Sequence, residues 1–352
     1  MTQLTQPPTQ PKQLTQLTQL KILLVRVSSL GDVLHNLPMV ADILRHHPGA
    51  LIDWVVEEGY VSLVRLNPHV RTIIPFALRR WRKSLAAKAT RFEIAAFLRS
   101  LRAERYDFVF DTQGLLKTGA IMGAARLAPG GRKVGLANGS EDSGYEAISR
   151  IFHTDSVKLD PRTHAVARGR LVAAAALGYQ VDSAPEFGLP VDPASRPHWM
   201  PAAPYAVFFH GTARAAKKWP AANWIATGQS LAPMPVLLAW GSDGEQREAE
   251  LIAAGLPNAV VLPKLSMDEA VTLARNAALA IGVDTGLTHI AAAFLRPTIE
   301  LYCDSPKWKT EGNWSPRIVN LGELGAPPTV AEVTDACARL LGQPLGSNKG
   351  SA

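Results

Sequence analysis

The chain has 352 residues, of which 47% are hydrophobic and 19% are charged, and its formal net charge is +7. That length allows two domains with cores of their own, and the composition is ordinary for a globular protein. No uncharged apolar run approaches the ~18 residues of a membrane-spanning helix, and the two cysteines argue against a disulfide framework. We therefore expect a globular protein of the reducing cytoplasm.

The first half of the chain alternates between predicted strands and helices. Residues 1–20 repeat Gln, Leu, Thr and Pro without the apolar core of a signal peptide, and we expect a disordered extension there. Strands are predicted at 21–27, 51–56, 71–76, 107–111 and 132–136, and helices at 32–46, 59–66, 85–104, 115–126 and 161–178. This alternation is typical of a parallel sheet covered by helices.

The second half repeats the pattern after a linker. We predict the linker at 181–204, where proline, aspartate and serine accumulate. Strands are then predicted at 205–210, 235–240, 258–262, 278–283 and 297–302, and helices at 220–231, 244–254, 267–276, 286–295 and 329–341. The pattern indicates Rossmann-like domains over 21–180 and 205–342, with a loose tail at 343–352.

The most informative motif of the second half is the turn Asp284-Thr285-Gly286. It follows a buried apolar strand and opens a helix that also carries His289. In open α/β sheets, ligands bind in the crevice outside such strand ends. Gly286 allows close approach of the backbone, and the start of a helix favours an anion. The turn therefore predicts a binding site for an anionic ligand.

A turn of similar design occurs in the first half, where Ser28-Ser29-Leu30-Gly31-Asp32 follows a strand and opens a helix. Taken alone, Ser29 or Asp32 is more commonly an N-cap. Two such turns in separate halves instead indicate a ligand cleft between two domains.

Another strand-end loop carries Thr212, Ala213 and Lys217 before Trp219-Pro220 opens a helix. A lysine above such a loop is suited to neutralise a phosphate. The nucleotide-binding patterns Gly-x-Gly-x-x-Gly and Gly-x-x-x-x-Gly-Lys-Ser/Thr are absent, which argues against a nicotinamide enzyme and a P-loop ATPase. No His, Cys and carboxylate cluster has metal-ligand spacing, so we expect neither a metal nor a cofactor.

Positive charge is concentrated between residues 61 and 106, where eleven Lys and Arg face two Glu. The densest part is Arg79-Arg80-Trp81-Arg82-Lys83, directly after a predicted strand. Such a cluster is consistent with a nucleic acid, with a phosphorylated lipid or sugar, or with an anionic membrane.

Taken together, these segments resemble the lipopolysaccharide heptosyltransferases of glycosyltransferase family 9. The resemblance covers roughly residues 20 to 340 in the expected order. Its segments 53–59 and 79–83 are similar to the type I rather than the type II enzymes. The matching segments are 27–35, 53–59, 79–83, 111–117, 217–220, 240–241 and 284–289.

The resemblance implies a GT-B fold of the α/β class, in which two Rossmann-like domains with parallel sheets face each other across a cleft. The first domain would bind the acceptor and the second the nucleotide sugar. The implied reaction moves L-glycero-D-manno-heptose from ADP-heptose to the inner Kdo of Kdo-lipid A, with inversion and without a metal. The implied location is the cytoplasmic face of the inner membrane, in peripheral contact with anionic lipid.

The resemblance also implies residue roles. Asp32 would be the general base, and Lys217 would be catalytic by holding the diphosphate. Donor-binding roles fall to Thr212, Ala213, Lys217, Glu245, Leu265, Asp284, Thr285, Gly286 and His289. Acceptor-binding roles fall to Arg79, Arg80, Arg82, Lys83 and Lys117.

Two stretches depart from the family pattern. Ala213 replaces a threonine that many relatives carry, and residues 135–149 match poorly where relatives contact the acceptor. The alternatives are a type II enzyme or another family 9 member and, less favoured, a nucleotide-sugar epimerase with a GT-B-like fold. A nucleic-acid-binding protein would leave Asp32 and Asp284 unexplained, so we expect no nucleic-acid partner.

Overall fold

The computed structural model describes residues 19–141, 143–190, 196–212 and 214–342. Ala213 lies outside these ranges, as do most of the expected extension, part of the expected linker and the expected tail. Within the described ranges, no helix is both long and apolar enough to cross a membrane.

A six-stranded parallel sheet organises the first half. Its strands are β1 (Lys21–Val25), β2 (Leu51–Glu57), β3 (Val70–Phe76), β4 (Tyr106–Asp111), β5 (Leu127–Leu136) and β6 (Asp155–Val157). They lie in the order β3-β2-β1-β4-β5-β6. The inner strands β1 and β2 are nearly continuous buried runs, as expected for a sheet covered by helices on both faces.

Seven helices of this half connect its strands or follow them in the described ranges. They are α1 (Leu30–His35), α2 (Pro38–His46), α3 (Val61–Arg65), α4 (Leu78–Trp81), α5 (Lys88–Leu101), α6 (Leu116–Ala124) and α7 (Ala165–Leu177). The prediction of one helix over 32–46 is wrong, because two helices meet at Pro38. Proline lacks the N–H that a helix interior requires but is tolerated in a first turn, so it begins α2.

The second half has the same architecture. Its strands are β7 (Ala206–Phe209), β8 (Val236–Leu238), β9 (Ala259–Val261), β10 (Leu279–Val283), β11 (Thr298–Tyr302) and β12 (Ile318–Gly322). Its helices are α8 (Ala221–Ser230), α9 (Asp243–Ala254), α10 (Met267–Asn276), α11 (Gly286–Ala293) and α12 (Val330–Leu341). The strands lie in the order β12-β11-β10-β7-β8-β9, again all parallel.

The sequence does not predict β6 or β12. Strand β6 has only three residues, and β12 is an edge strand that is mostly half-buried and contains Asn320. Neither segment therefore has the continuous apolar run that marks a buried strand.

Both sheets reverse their strand order at the same point, between β1 and β4 in the first and between β7 and β10 in the second. Ligands bind outside the carboxyl ends of strands at such switch points. The loop after β1 leads to Asp32, the loop after β7 carries Lys217, and β10 ends beside Asp284. The fold thus places the residues singled out from the sequence at two ligand-binding edges.

These two edges are brought together by the contact of α1 with α11. Their first turns approach so closely that a Cβ atom on Gly286 would lie 3.0 Å from the Gly31 nitrogen. Val33 and Ile290 belong to one hydrophobic cluster that spans both halves. Glycine at position 286 is therefore required for the close contact, and the turns carrying Asp32 and Asp284 line one cleft.

Candidate active site

A cleft of about 900 Å³ lies between the two switch points. Both halves contribute to its walls, and the sequence predicted seven of the lining residues as site residues. Those seven are Asp32, Thr212, Lys217, Asp284, Thr285, Gly286 and His289.

Asp32 lies in the first turn of α1, on the wall formed by the first half. Its Oδ2 accepts hydrogen bonds from the Ser29 backbone N–H and the Ser29 hydroxyl, both at 2.9 Å. Its Oδ1 lies 2.7 Å from Nη2 of Arg26, and 36% of the Asp32 side chain is exposed. The carboxylate is thus held in place while part of it still faces the cleft.

Arg26 sets the protonation state of Asp32. Burial alone would raise the pKa of Asp32, but the Arg26 charge and the Ser29 hydrogen bonds outweigh it and lower the pKa to about 2. Arg26 is itself fixed by a hydrogen bond to the Thr112 carbonyl after β4. Asp32 is therefore ionised at neutral pH, which is the state that a general base requires.

Lys217 and Asp284 form an ion pair on the opposite wall. Lys217 Nζ lies 2.5 Å from Asp284 Oδ2, and the two side chains are 20% and 9% exposed. Lys218, the next residue, instead pairs with Glu248 on α9. Of the two adjacent lysines, Lys217 is therefore the one that reaches the cleft.

A buried chain of polar groups continues behind Asp284. Asp284 Oδ1 lies 3.1 Å from His289 Nε2, and His289 Nδ1 lies 2.8 Å from Glu300 Oε1. The Tyr302 hydroxyl and the Gly312 N–H both donate to Glu300 Oε2 at 2.9 Å. Each oxygen of the fully buried Glu300 thus has a partner, as a buried carboxylate requires.

The charges along this chain support one another. Burial disfavours a charged His289, but Glu300 and Asp284 outweigh burial and raise the pKa of His289 to about 10. Burial would likewise raise the pKa of Asp284, but the bonds to His289 and Lys217 hold it well below its usual range. Both ring nitrogens of His289 are engaged by carboxylates, so this side chain influences the cleft by holding Asp284 in position.

His35 lies where the two walls meet. Its ring centroid is 4.9 Å from that of His289, and the side chain is buried. Burial and the charge of His289 together keep the pKa of His35 well below its usual range. His35 is therefore a neutral packing neighbour of a charged histidine.

Two expected donor residues lie outside the walls of this cleft. Glu245 caps α9, because its Oε2 accepts from the backbone N–H groups of Gly241 and Ser242 at 2.7 and 3.1 Å. It also packs closely against Gly211 in the loop after β7. Leu265 is half-buried against the core. Their expected contacts with ribose and adenine remain predictions.

The basic cluster lies beside the cleft, on α4 and the residues just after it. A smaller cavity of about 330 Å³ has three cations and two carboxylates in its walls: Arg79, Arg80, Lys83, Glu57 and Glu58. Tyr60 lines both this cavity and the main cleft. Arg80 is held by Glu58 and Glu93 at 2.9 and 2.6 Å. The structure thus joins the cluster to the cleft, but it gives Arg80 two carboxylate partners.

Lys117 approaches the Asp32 loop more closely. Its Nζ donates to the Ser28 hydroxyl at 3.2 Å, and burial lowers its pKa. A second cavity of about 350 Å³ adjoins Asp32 on this side, and its cations include Arg26, Arg168 and Lys309. A concave site with several cations beside the expected base is suited to an acidic ligand.

Sequence inspection missed four residues of this arrangement: Arg26, Arg168, Glu300 and Lys309. Glu300 left a signal, because it is a carboxylate within the apolar strand Thr298–Tyr302. Such a charge is buried only with a partner. Arg168 lies within α7 and Lys309 in a short 3-10 helix, so their approach to Asp32 depends on the tertiary fold.

Among the described residues, no group of three or more His, Cys, Asp or Glu side chains is arranged to hold a metal ion.

Comparison with known proteins agrees with this architecture. The model of glycosyltransferase family 9 (heptosyltransferase) matches residues 94–337. The chain is 39% identical over 285 residues to lipopolysaccharide heptosyltransferase 1 of Pseudomonas aeruginosa, covering 80% of this chain and 78% of that protein. It is 24% identical over 307 residues to lipooligosaccharide heptosyltransferase 2 of Haemophilus influenzae, covering 80% and 82%.

A solved structure shows the same fold. The E. coli heptosyltransferase WaaC with ADP is 31% identical and superposes with a TM-score of 0.77, over 91% of this chain and all of that one. This likeness and the two parallel sheets confirm the GT-B architecture expected from the sequence.

Proposed function

Since the chain belongs to glycosyltransferase family 9, the heptosyltransferases, we propose that it transfers L-glycero-D-manno-heptose from ADP-heptose to the inner Kdo of Kdo-lipid A. The observation that carries this proposal is the cleft itself, in which an ionised carboxylate faces a lysine-bearing loop on the other wall. The chain has a greater sequence identity to a type 1 than to a type 2 enzyme. This supports Kdo-lipid A as the acceptor over an acceptor that already carries a heptose.

Asp32 takes the proton in this reaction. The acceptor hydroxyl gives its proton to the Asp32 carboxylate while its oxygen forms a bond to the anomeric carbon and the bond from that carbon to the diphosphate breaks. Because Arg26 makes Asp32 a weak base, the proton moves late, when the attacking oxygen has already become acidic. Attack from the face opposite the diphosphate inverts the anomeric centre.

The second wall stabilises the departing diphosphate. Lys217 approaches it from the loop after β7, and the N-terminus of α11 at Thr285 and Gly286 offers backbone N–H groups. The buried chain behind Asp284 fixes that carboxylate, and Asp284 in turn fixes Lys217. Such preorganised charge contributes most where it meets the charge that develops in the transition state.

Acceptor recognition falls to the cations beside Asp32. Arg26, Arg168 and Lys309 line the adjoining cavity, and Lys117 lies at its edge through Ser28. Kdo is an acidic sugar, and its carboxylate pairs well with guanidinium groups. This placement supports an acidic acceptor presented directly to the base.

Membrane contact belongs to the same proposal. Of the ten large hydrophobic side chains exposed in the described residues, six lie between Leu85 and Ile151, in the half that carries the basic cluster. Cationic side chains next to exposed apolar ones suit the surface of an anionic membrane. We place the protein at the cytoplasmic face of the inner membrane, where its acceptor would be found.

The test is a transfer assay with defined substrates. ADP-heptose is incubated with deacylated Kdo-lipid A, and the product is identified by mass spectrometry and its anomeric configuration by NMR. We expect one added heptose, inverted at the anomeric carbon, and no transfer from UDP- or GDP-sugars. Transfer only onto an acceptor that already carries heptose would instead identify a type II enzyme.

A further inference from the structure

An apolar groove lies beside the candidate active site, on a helix-covered face of the first sheet. Helices α5 and α6 cover the same face of the sheet, and their inner side chains, among them Phe97 and Ile121, share one buried hydrophobic cluster. The space between them is a groove of about 670 Å³. Neighbouring helices on a sheet normally bury their facing apolar side chains against each other, so this gap exposes surface that folding alone would cover.

The groove is lined mainly by apolar side chains. Its floor is formed by the buried Phe76, Trp81, Phe97 and Ile121. Its walls include Leu98 and Leu116, which are 39% and 46% exposed. Large apolar side chains held open to solvent along one channel are typical of a binding site for an apolar ligand.

The charged groups at the rim indicate what kind of apolar ligand this is. Arg82 and Lys117 border the groove, together with Glu146, whose carboxylate is engaged by the Leu116 backbone N–H at 2.5 Å. Two cations at the border of an apolar channel match a molecule with an anionic head and a hydrocarbon tail.

The groove also leads towards the proposed catalytic centre. Leu115 lines both the groove and the cationic cavity next to Asp32. Lys117 borders the groove and donates to Ser28 at 3.2 Å, and Ser28 lines that cavity. One molecule could therefore place its acidic head at Asp32 and its tail between the helices.

We propose that the groove between α5 and α6 binds a fatty acyl chain of the same anionic lipid whose sugar is deprotonated by Asp32. This inference rests on the proposed function, because the head group of the lipid is the acceptor. It adds a specificity element: the enzyme recognises the hydrocarbon part of its acceptor as well as the sugar.

The experiment uses a matched pair of tryptophan variants of the full chain. Ala120 lies on α6 and lines the groove, so Ala120→Trp fills the groove. Ala96 is also an exposed alanine, but it lies on α5 and does not line the groove, so Ala96→Trp adds the same bulk elsewhere. Each variant is assayed with detergent-dispersed acylated Kdo-lipid A and with the fully deacylated acceptor.

We expect Ala120→Trp to lower kcat/KM for the acylated acceptor by about tenfold or more, because losing burial of only two methylenes has that effect. With the deacylated acceptor its kcat/KM should match wild type. Ala96→Trp should match wild type with both. If the two variants changed kcat/KM for the acylated acceptor equally, the acceptor would adsorb to the protein surface without an acyl chain in the groove. This result would overturn the proposal.

A second variant keeps the proposal testable if Ala120→Trp fails to fold. Leu98→Ser removes part of one wall without adding bulk, and should lower the acylated-to-deacylated ratio of kcat/KM by roughly threefold or more. An unchanged ratio in Leu98→Ser would overturn the proposal even if Ala120→Trp were generally inactive. If the wild-type protein used neither acceptor, the proposed function would be refuted. If it used both, and the variants had the wild-type ratio of kcat/KM for the acylated and deacylated acceptors, only the proposal of acyl-chain binding in the groove would be refuted.

Discussion

Asp32 and Asp284 each lie in a strand-to-helix turn beside a switch point, yet their surroundings differ. Asp32 lies in the first turn of α1 after β1, whereas Asp284 directly follows β10 and precedes Thr285, the N-cap of α11. The Asp32 side chain is 36% exposed and has one cationic partner, whereas Asp284 is 9% exposed and bonds to Lys217, His289 and Thr310. The two turns thus carry one carboxylate that is open to a ligand and one that is fixed as part of the wall.

Replacing each aspartate by asparagine should separate these roles most clearly. Asp32→Asn should reduce turnover by roughly two to four orders of magnitude, the usual effect of losing a general base. Its stability should fall by only about 1–2 kcal/mol, because Asp32 is 36% exposed although its partner Arg26 is mostly buried. Asp284→Asn should instead destabilise the fold by about 3–5 kcal/mol, since it leaves Lys217 without a carboxylate partner and takes one of two from the buried His289. Turnover assays and urea unfolding measure both variants. Equal losses of stability would contradict the assignment of a catalytic role to Asp32 and a structural role to Asp284.

The adjacent lysines give the next largest effect. Lys217→Ala should weaken ADP binding by about 1.5–3 kcal/mol, the value of a hydrogen bond to a charged group. Lys218→Ala is the matched control, because its side chain pairs with Glu248. Calorimetry with ADP measures both, and equal small effects would show that this loop does not hold the donor.

Arg26 should control the pH dependence of turnover. It holds the pKa of Asp32 down to about 2, so Arg26→Gln should let that pKa rise towards its ordinary value of about 3.9. Activity needs the ionised carboxylate, so the variant should lose activity at a higher pH than wild type as the solution is acidified. Arg26→Lys should shift the profile less. If the pH–rate profile of Arg26→Gln matched that of wild type, Arg26 would not control the pKa of the general base.

The buried polar groups behind Asp284 should make the free energy of unfolding depend on pH in the alkaline range. The pKa of His289 is raised to about 10 in the fold, so its contribution is complete below about pH 6.5 and is lost as pH rises towards 10. Glu300→Gln should make this alkaline loss smaller, because it removes a charge that raises the pKa of His289. Urea unfolding at several pH values checks this, and an identical slope in both proteins would contradict it.

The basic cluster should give the smallest effects. Arg82→Ala should raise the KM for the acceptor several-fold and leave ADP affinity unchanged. Arg80→Ala should do less, because Glu58 and Glu93 already hold that guanidinium. Steady-state kinetics with the acceptor varied decide this, and a loss of ADP affinity would mean that the roles of the two halves are reversed.

Strand ends were the part of the site that the sequence could predict. Asp32, Lys217 and Asp284 each follow an apolar run in the chain, so position alone places them at a ligand-binding edge. Arg26 lies only six residues before Asp32, but the length of a loop does not say that their side chains will meet. Glu300 reaches Asp284 through His289, and this contact depends on how α11 packs on β11. Glu245 forms a capping box with Ser242 at the start of α9, and its contact with ribose stays a prediction. Pro38 could have been recognised as a helix break, because its chemistry is local.

The division of labour between the two walls is tested most directly by titrating ADP into the Asp32→Asn protein beside a single-turnover measurement of heptose transfer. We expect ADP to bind as it does to wild type while the single-turnover rate falls by roughly a hundredfold or more. Transfer at a near-normal rate would remove Asp32 from the mechanism. A loss of ADP affinity as large as that of Lys217→Ala would show that the two walls do not divide base and donor binding between them.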